Sequence, residues 1–178
     1  MTWRRNLINV ILFQLAWFAA VLGAARGLPW LGPLALLPVV GVHLALSDNR
    51  DKELILLVSA GALGFCFDTT LVATGTFVPI GHLLPFPFSP PWMVGLWMNF
   101  ATTLNVSLAW LRNRYLAAVL FGAVGGPLAY YSGARLGATV GHPSPEGLTL
   151  LALGWGLMTP LLFWLAGRLV RAPESNGR

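Results

Sequence analysis

The sequence predicts an all-α fold, a polytopic membrane bundle of six transmembrane helices. Three observations predict it. Of 178 residues, 56% are hydrophobic and only 10% are charged, against roughly 25% charged in a soluble domain. The apolar residues gather in six runs near the length of about 20 residues that crosses a bilayer. The basic residues cluster at the ends of these runs rather than along them.

Taken in order, the first run covers residues 7–25 and follows Arg4 and Arg5. A basic pair before an apolar run also resembles a signal peptide. Asn6, Asn9 and Gln14 interrupt the run, and no clean small-residue cleavage site follows, so an uncleaved first helix fits better. The second run covers 28–46 and starts at Gly27-Leu28-Pro29. The third covers 54–75 and contains GFCFDTTLVATG, with Asp68 in its middle. The fourth covers 92–111 and opens at Pro90-Pro91-Trp92. The fifth covers 115–138 and the sixth 148–170. Proline and glycine mark the joints, including 85–91 and 142–147. Residues 1–171 form one domain, and 172–178 form a short polar tail.

Six spans put both termini on one side. Arg4, Arg5, Arg50, Lys52, Arg112, Arg114, Arg168, Arg171 and Arg178 then share that side, leaving Arg26 and Arg135 on the other. Nine against two is a strong positive-inside bias. It predicts a bacterial cytoplasmic (inner) membrane protein with both termini cytoplasmic.

The same distribution disposes of nucleic acid as a partner. The net charge of +5 forms no stripe or basic arm. Membrane lipids are the expected partners, with a homodimer or a second membrane protein as a further expectation. Cys66 is the single cysteine, so no internal disulfide exists. The chain holds no phosphate-binding GxxxxGK loop and no GxSxG elbow. No cofactor and no metal are expected: His82, His142 and Glu146 lack the spacing of a ligand motif.

Small residues recur at four-residue spacing. Ala19, Gly23 and Gly27 mark one edge of the first helix, and Gly122 and Gly126 an edge of the fifth, followed by Gly133, Gly137 and Gly141. Such spacing lets helix backbones approach closely. Pro38, Pro127 and Pro160 fall inside runs and are expected to kink them. Trp3, Trp92, Trp97 and Trp110 read as interfacial anchors. Residues 77–91, FVPIGHLLPFPFSPP, form an external loop too apolar to float in water. It is expected to lie in the interface or fold back as a lid.

Depth sorts the polar residues inside the runs. Asp68 lies fourteen residues into the third run, about 21 Å from its cytoplasmic start. Asn99 and Thr102 on the fourth run, and Tyr130, Tyr131 and Arg135 on the fifth, lie toward the same outer half. His82 sits in the loop above. These seven are the ligand-binding candidates. A second polar cluster, Asn9, Gln14, His43 and Asn105, is expected in the cytoplasmic half, near Glu53. A buried charge in a bilayer is costly. Asp68 therefore pairs with Arg135, or stays protonated on Asn99 or a tyrosine, or lines a wet cavity.

NLINVILFQLAWF near the N-terminus, the Asp68 helix, PPW at Pro90–Trp92 and PLAYYSG at Pro127–Gly133 together resemble a small uncharacterised proteobacterial inner-membrane family, a domain of unknown function. The resemblance covers nearly the whole chain. It implies a polytopic membrane protein and a neighbourhood of membrane fatty-acid modification. It carries no catalytic residues. The sequence thus leads to an inner-membrane protein of unknown activity that binds a lipid or acyl chain or assists fatty-acid modification. A proton-coupled transporter using Asp68 and a structural subunit are the alternatives. Whether it is an enzyme is left open.

Overall fold

A computed structural model describes residues 2–169. The tail 172–178, Arg171 and Arg178 lie outside the described residues. Six α-helices follow one another: α1 (Thr2–Ala25), α2 (Leu31–Ala45), α3 (Arg50–Ala73), α4 (Pro91–Leu104), α5 (Tyr115–Arg135) and α6 (Pro145–Leu169). Among the described residues there is no β-strand beyond a single bridge between Pro79 and Thr139.

Four helices are long and apolar enough to cross a membrane: α1, α3, α5 and α6, each of 21 to 25 residues. At 1.5 Å per residue they reach about 31 to 37 Å, the thickness of a hydrocarbon core. Their outer flanks keep Leu15, Val58, Leu120, Val124, Leu153 and Leu157 exposed. Apolar surface on that scale belongs in lipid, and the chain is membrane-embedded.

Two helices are shorter than the sequence predicts. α2 has 15 residues and α4 has 14, about 21 to 23 Å each. The apolar run continues past α4, but the helix stops at Leu104. From there Ser107 turns onto α1, its hydroxyl donating to Asn9 Oδ1 at 2.5 Å. A short 3₁₀ turn, Ala109–Leu111, completes the segment. A side-chain partner on another helix has replaced the next backbone bond, a competition that periodicity does not register.

α1 packs on α2 and α4, α4 on α3, α3 on α6 and α6 on α5. Arg4, Arg5, Arg50, Lys52, Arg112, Arg114 and Arg168 come to one end of the bundle, the basic end, by alternation of helix direction. The opposite, loop end carries Arg26 and Arg135. Leu56, Leu57, Leu104, Leu111 and Leu162 fill the core toward the basic end. Val21, Trp92, Met93, Tyr130 and Leu151 fill it toward the loop end.

Gly122 and Gly126 face α6. A β-carbon at Gly122 would fall 2.2 Å from the Trp155 carbonyl, and one at Gly126 would fall 2.2 Å from the Trp155 ring. Their spacing therefore serves packing within the chain. Gly27, Gly137 and Gly141 do not continue helix faces as expected. They lie past the helix ends with φ of 75°, 90° and 76°, turning the chain where other residues are strained. Pro38, Pro127 and Pro160 do fall inside helices.

The apolar loop is tied down. Phe77 is buried with its ring edge-on to Tyr130. Val140 N–H donates to the Val78 carbonyl at 2.8 Å, and Ile80 N–H to the Ala138 carbonyl at 3.0 Å. Trp92 Nε1 donates to the Ile80 carbonyl at 2.9 Å. Trp92 is thus a buried strut and not an interfacial anchor.

Candidate functional site

Because α5 packs on α6 while α1 packs on α2 and α4, a groove remains between α1 and α5. Its volume is about 810 Å³. Phe13, Trp17 and Val21 of α1 form one wall, and Phe121, Leu128 and Ala129 of α5 the other. Trp97, Phe100 and Trp155 lie at the back. Along α5 the lining runs from Phe121 to Arg135, fourteen residues or about 21 Å. At the loop end Gly137 closes toward Ala25.

The sequence of α5 keeps this groove open. Gly125, Ala129 and Gly133 recur every fourth residue and line it. A β-carbon added at Gly125 or Gly133 would meet no atom within 4 Å. Beyond Phe121 this stripe of α5 carries no side chain larger than the methyl of Ala129.

Asp68 lies at the back of the groove, completely buried. Trp97 Nε1 donates to its Oδ2 at 2.9 Å, and the Tyr130 hydroxyl donates to its Oδ1. Trp97 stacks on Trp155 with centroids 4.2 Å apart. Phe67 and Phe100 meet this pair edge-on. Trp155, which also lines the groove, turns its indole N–H toward the Tyr130 hydroxyl.

The seven ligand-binding candidates separate. Asp68 and Tyr130 meet. Tyr131 and Arg135 line the groove at its loop end, both exposed. Asn99 and Thr102 turn away from Asp68. Asn99 Nδ2 donates to the Phe13 carbonyl at 2.9 Å and locks α4 to α1. Thr102 Oγ1 donates to the Asn99 carbonyl at 2.7 Å within its own helix. His82 is exposed on the loop, outside the groove lining. The Arg135 pairing does not form: among the described residues the one ion pair is His43–Glu53. Two neutral donors already occupy both Asp68 oxygens, and Arg135 sits beyond them at the helix end. Depth placed the right level, but direction around the helix decided the partners.

The second cluster also divides. His43 Nε2 lies 3.1 Å from Glu53 Oε2, and Asn105 Nδ2 donates to Glu53 Oε1 at 3.0 Å. Arg112 donates to Asn105 Oδ1. These bonds join α2, α3 and the end of α4. Asn9 forms a separate knot, donating to the Thr102 carbonyl at 3.1 Å and accepting from Ser107. Gln14 takes no part in either and lines the groove instead. Among the described residues no three His, Cys, Asp or Glu side chains gather in a metal-holding group.

Sequence reasoning missed Trp97 and Trp155 as site residues. The available signal was Gly64 and Gly126: each is a hole filled by one of these indoles, with built β-carbons only 2.0 Å and 2.2 Å from the rings.

A family model described as a protein of unknown function (DUF2878) matches residues 6–161, and the chain belongs to that family. The match encloses every residue that lines the groove, from Val10 to Thr159. No curated protein and no solved structure matches the chain.

Proposed function

We propose that this DUF2878 member holds the hydrocarbon chain of a membrane lipid in the groove between α1 and α5. The observation that carries the reading is the open, small-residue face of α5 across from the aromatic wall of α1. A groove of this volume falls in the range of ligand sites, which are mostly apolar with a few placed polar groups. A span of about 21 Å suits an extended chain better than a compact solute. Each methylene that leaves water for such a groove contributes about 0.8 kcal/mol. A lipid already in the bilayer gains less, so the polar groups select which lipid stays.

Tyr131, Ser132, Arg135 and Thr139 at the loop end provide a polar rim for a headgroup. The basic end faces the cytoplasm in this reading, by the positive-inside bias, in a bacterial inner membrane. The loop end and the groove's rim then face outward.

The test is native mass spectrometry of protein purified in mild detergent, comparing wild type with Gly125→Phe. A β-carbon at Gly125 meets no atom within 4 Å, so the variant is expected to fold with its ring in the groove. Wild type is expected to retain lipid and Gly125→Phe to lose it. Lipid-free wild type, or equal retention by both, overturns the proposal. A Gly125→Leu variant, smaller in bulk, is expected to retain an intermediate amount.

A second reading, proton-coupled transport through Asp68, draws on one observation: a fully buried carboxylate lines the groove. Vesicles reporting internal pH would test it, and proton flux unchanged by Asp68→Asn would remove it.

A further inference from the structure

Two arginines depart from the charge pattern of the chain, and both stand at the mouth of the groove. Among the described residues seven Lys and Arg side chains lie at the basic end and two, Arg26 and Arg135, at the loop end. The loop end faces outward in the reading above, and outward segments of membrane proteins are poor in Lys and Arg. Arg135 lies in the last turn of α5 and lines the groove. Arg26 follows directly on Ala25, the last residue of α1. These two helices are the walls of the groove. They meet where Gly137 comes against Ala25, a built β-carbon standing 3.7 Å from the Ala25 methyl. One cation therefore flanks this seam from each wall.

Neither cation has an acidic partner. Both are exposed, and among the described residues the one ion pair, His43–Glu53, lies at the other end of the bundle. Asp68 and Glu146 are the acidic residues of this half. Asp68 is deeper: its partner Tyr130 lies five residues, about 8 Å, before Arg135. Its oxygens already accept from Trp97 and Tyr130. Glu146 lies in the first turn of α6, outside the groove lining. The helix dipole accounts for a cation at each C-terminus. It does not account for two such ends brought together with no anion between them.

The neighbouring side chains have the same preference. Tyr131 and Ser132 precede Arg135 by four and three residues, on its side of α5, and line the groove with it. The mouth thus presents two cations and two hydroxyls, and no carboxylate. Its depth is that of a headgroup. α5 has 21 residues, about 31 Å, which matches the hydrocarbon core. Arg135 at its end stands at the level of the lipid phosphates just outside that core.

We infer that the groove selects a phospholipid of net negative charge, its phosphate held between Arg26 and Arg135 and an acyl chain laid along α5. The inference rests on the lipid-binding reading and names the class of lipid for that same groove. A zwitterionic lipid brings the same phosphate, but its ammonium enters a mouth with two cations and no carboxylate. A headgroup that ends in uncharged hydroxyls meets no such repulsion.

The experiment is native mass spectrometry of delipidated protein in mild detergent, given an equimolar mixture of phosphatidylglycerol and phosphatidylethanolamine with identical acyl chains. Wild type is expected to bind the anionic lipid about tenfold better, the worth of one or two cations near a lipid anion. Arg26→Gln and Arg135→Gln are each expected to lower that preference about threefold. The double variant is expected to bind both lipids equally. Arg114→Gln, which removes an exposed cation at the basic end, is expected to keep the full preference. In a parallel thermal-shift measurement, wild type receives phosphatidylglycerol or inorganic phosphate alone, and only the lipid is expected to raise the midpoint.

The outcomes separate the two readings. If neither lipid binds wild type, the lipid-binding reading itself fails. If wild type binds both lipids equally, or if either Arg26→Gln or Arg135→Gln keeps the full preference, the groove binds lipid and this inference fails. A preference abolished by Arg114→Gln places the anion at the basic end and overturns it as well. A midpoint raised as far by inorganic phosphate as by the lipid assigns the arginines to a free anion, and the inference again fails.

Discussion

Trp97 reaches Asp68 at 2.9 Å because residue 64 has no side chain. A β-carbon at Gly64 would lie 2.0 Å from Trp97 Cγ, far inside contact distance. The indole lies flat against the α3 backbone one turn before Asp68, and from there its N–H points at the carboxylate. Gly64→Ala is therefore expected to push Trp97 off α3, break that bond and disturb the stack with Trp155. A loss of about 1 to 3 kcal/mol follows from overpacking, read as a lower thermal midpoint in detergent. Gly125→Ala is the contrast. Its new methyl meets no atom, and alanine is favoured in helices by up to about 1 kcal/mol, so it should melt no lower than wild type. If both variants behave alike, the close approach at Gly64 is not what positions Trp97.

Asp68 and Tyr130 should be energetically coupled, and Asp68 and Arg135 should not. Asp68→Leu leaves Trp97 Nε1 and the Tyr130 hydroxyl without an acceptor, at about 1 to 3 kcal/mol for each orphaned group. Tyr130→Phe removes one of those donors. The double variant is expected to lose less than the sum, with a coupling of about 0.5 to 3 kcal/mol. Arg135→Gln changes an exposed side chain outside the pair and should stay within about 0.5 kcal/mol of wild type. An Arg135→Gln loss as large as that of Asp68→Leu would show that the carboxylate depends on the arginine.

Helix existence and direction were legible in the sequence because length, apolar runs and basic ends act through depth alone. Depth also brought Asp68 level with Tyr130 and His43 level with Glu53. What depth does not contain is azimuth. Asn99 lies at a suitable level for Asp68, yet it faces α1 and bonds Phe13. Trp97 reads as an anchor in a scan for interfacial aromatics, and only its fit to Gly64 makes it a core residue with 2% exposure. The end of α4 escaped for a related reason. Residues 105–111 hold no proline or glycine to mark a stop, and the helix ends at its C-cap Asn105, just before Ser107 finds Asn9. The groove was invisible because it arises where α1 and α5 each pack on other helices rather than on one another.

Glu53 holds three helices at the basic end. It is buried, with 3% exposure, and its two oxygens face His43 and Asn105. Glu53→Ala leaves both partners unpaired in a buried site and should lower stability by about 2 to 5 kcal/mol. Glu53→Gln keeps an acceptor for Asn105 and should lose distinctly less. Thermal unfolding of both variants checks this. An alanine variant as stable as wild type would mean the network contributes nothing to holding α2, α3 and α4 together.

The orientation is open to labelling. With Cys66→Ser as background, cysteines are placed at Asp48 and at Phe86, both exposed. A membrane-impermeant maleimide added to intact cells should label position 86 and not 48, as the positive-inside bias requires. The reverse pattern would invert the protein and put the groove's polar rim in the cytoplasm.

Trp92 clamps the apolar loop, and the clamp has a measurable strength. The indole is buried, with 3% exposure, and donates to the Ile80 carbonyl at 2.9 Å. Ile80 N–H in turn donates to Ala138, so one residue links α4, the loop and the segment after α5. Trp92→Phe keeps most of the ring packing but withdraws the donor and leaves the Ile80 carbonyl unpaired. A net loss of about 1 kcal/mol for one hydrogen bond corresponds to roughly fivefold more frequent opening. Amide exchange at residues 78–82 should therefore accelerate about fivefold, while exchange in the middle of α3 stays unchanged. Trp30→Phe, at an exposed position on the same end of the bundle, should leave both unaffected. Unchanged exchange in Trp92→Phe would assign the fixing of the loop to the backbone bonds with residues 138–140 alone.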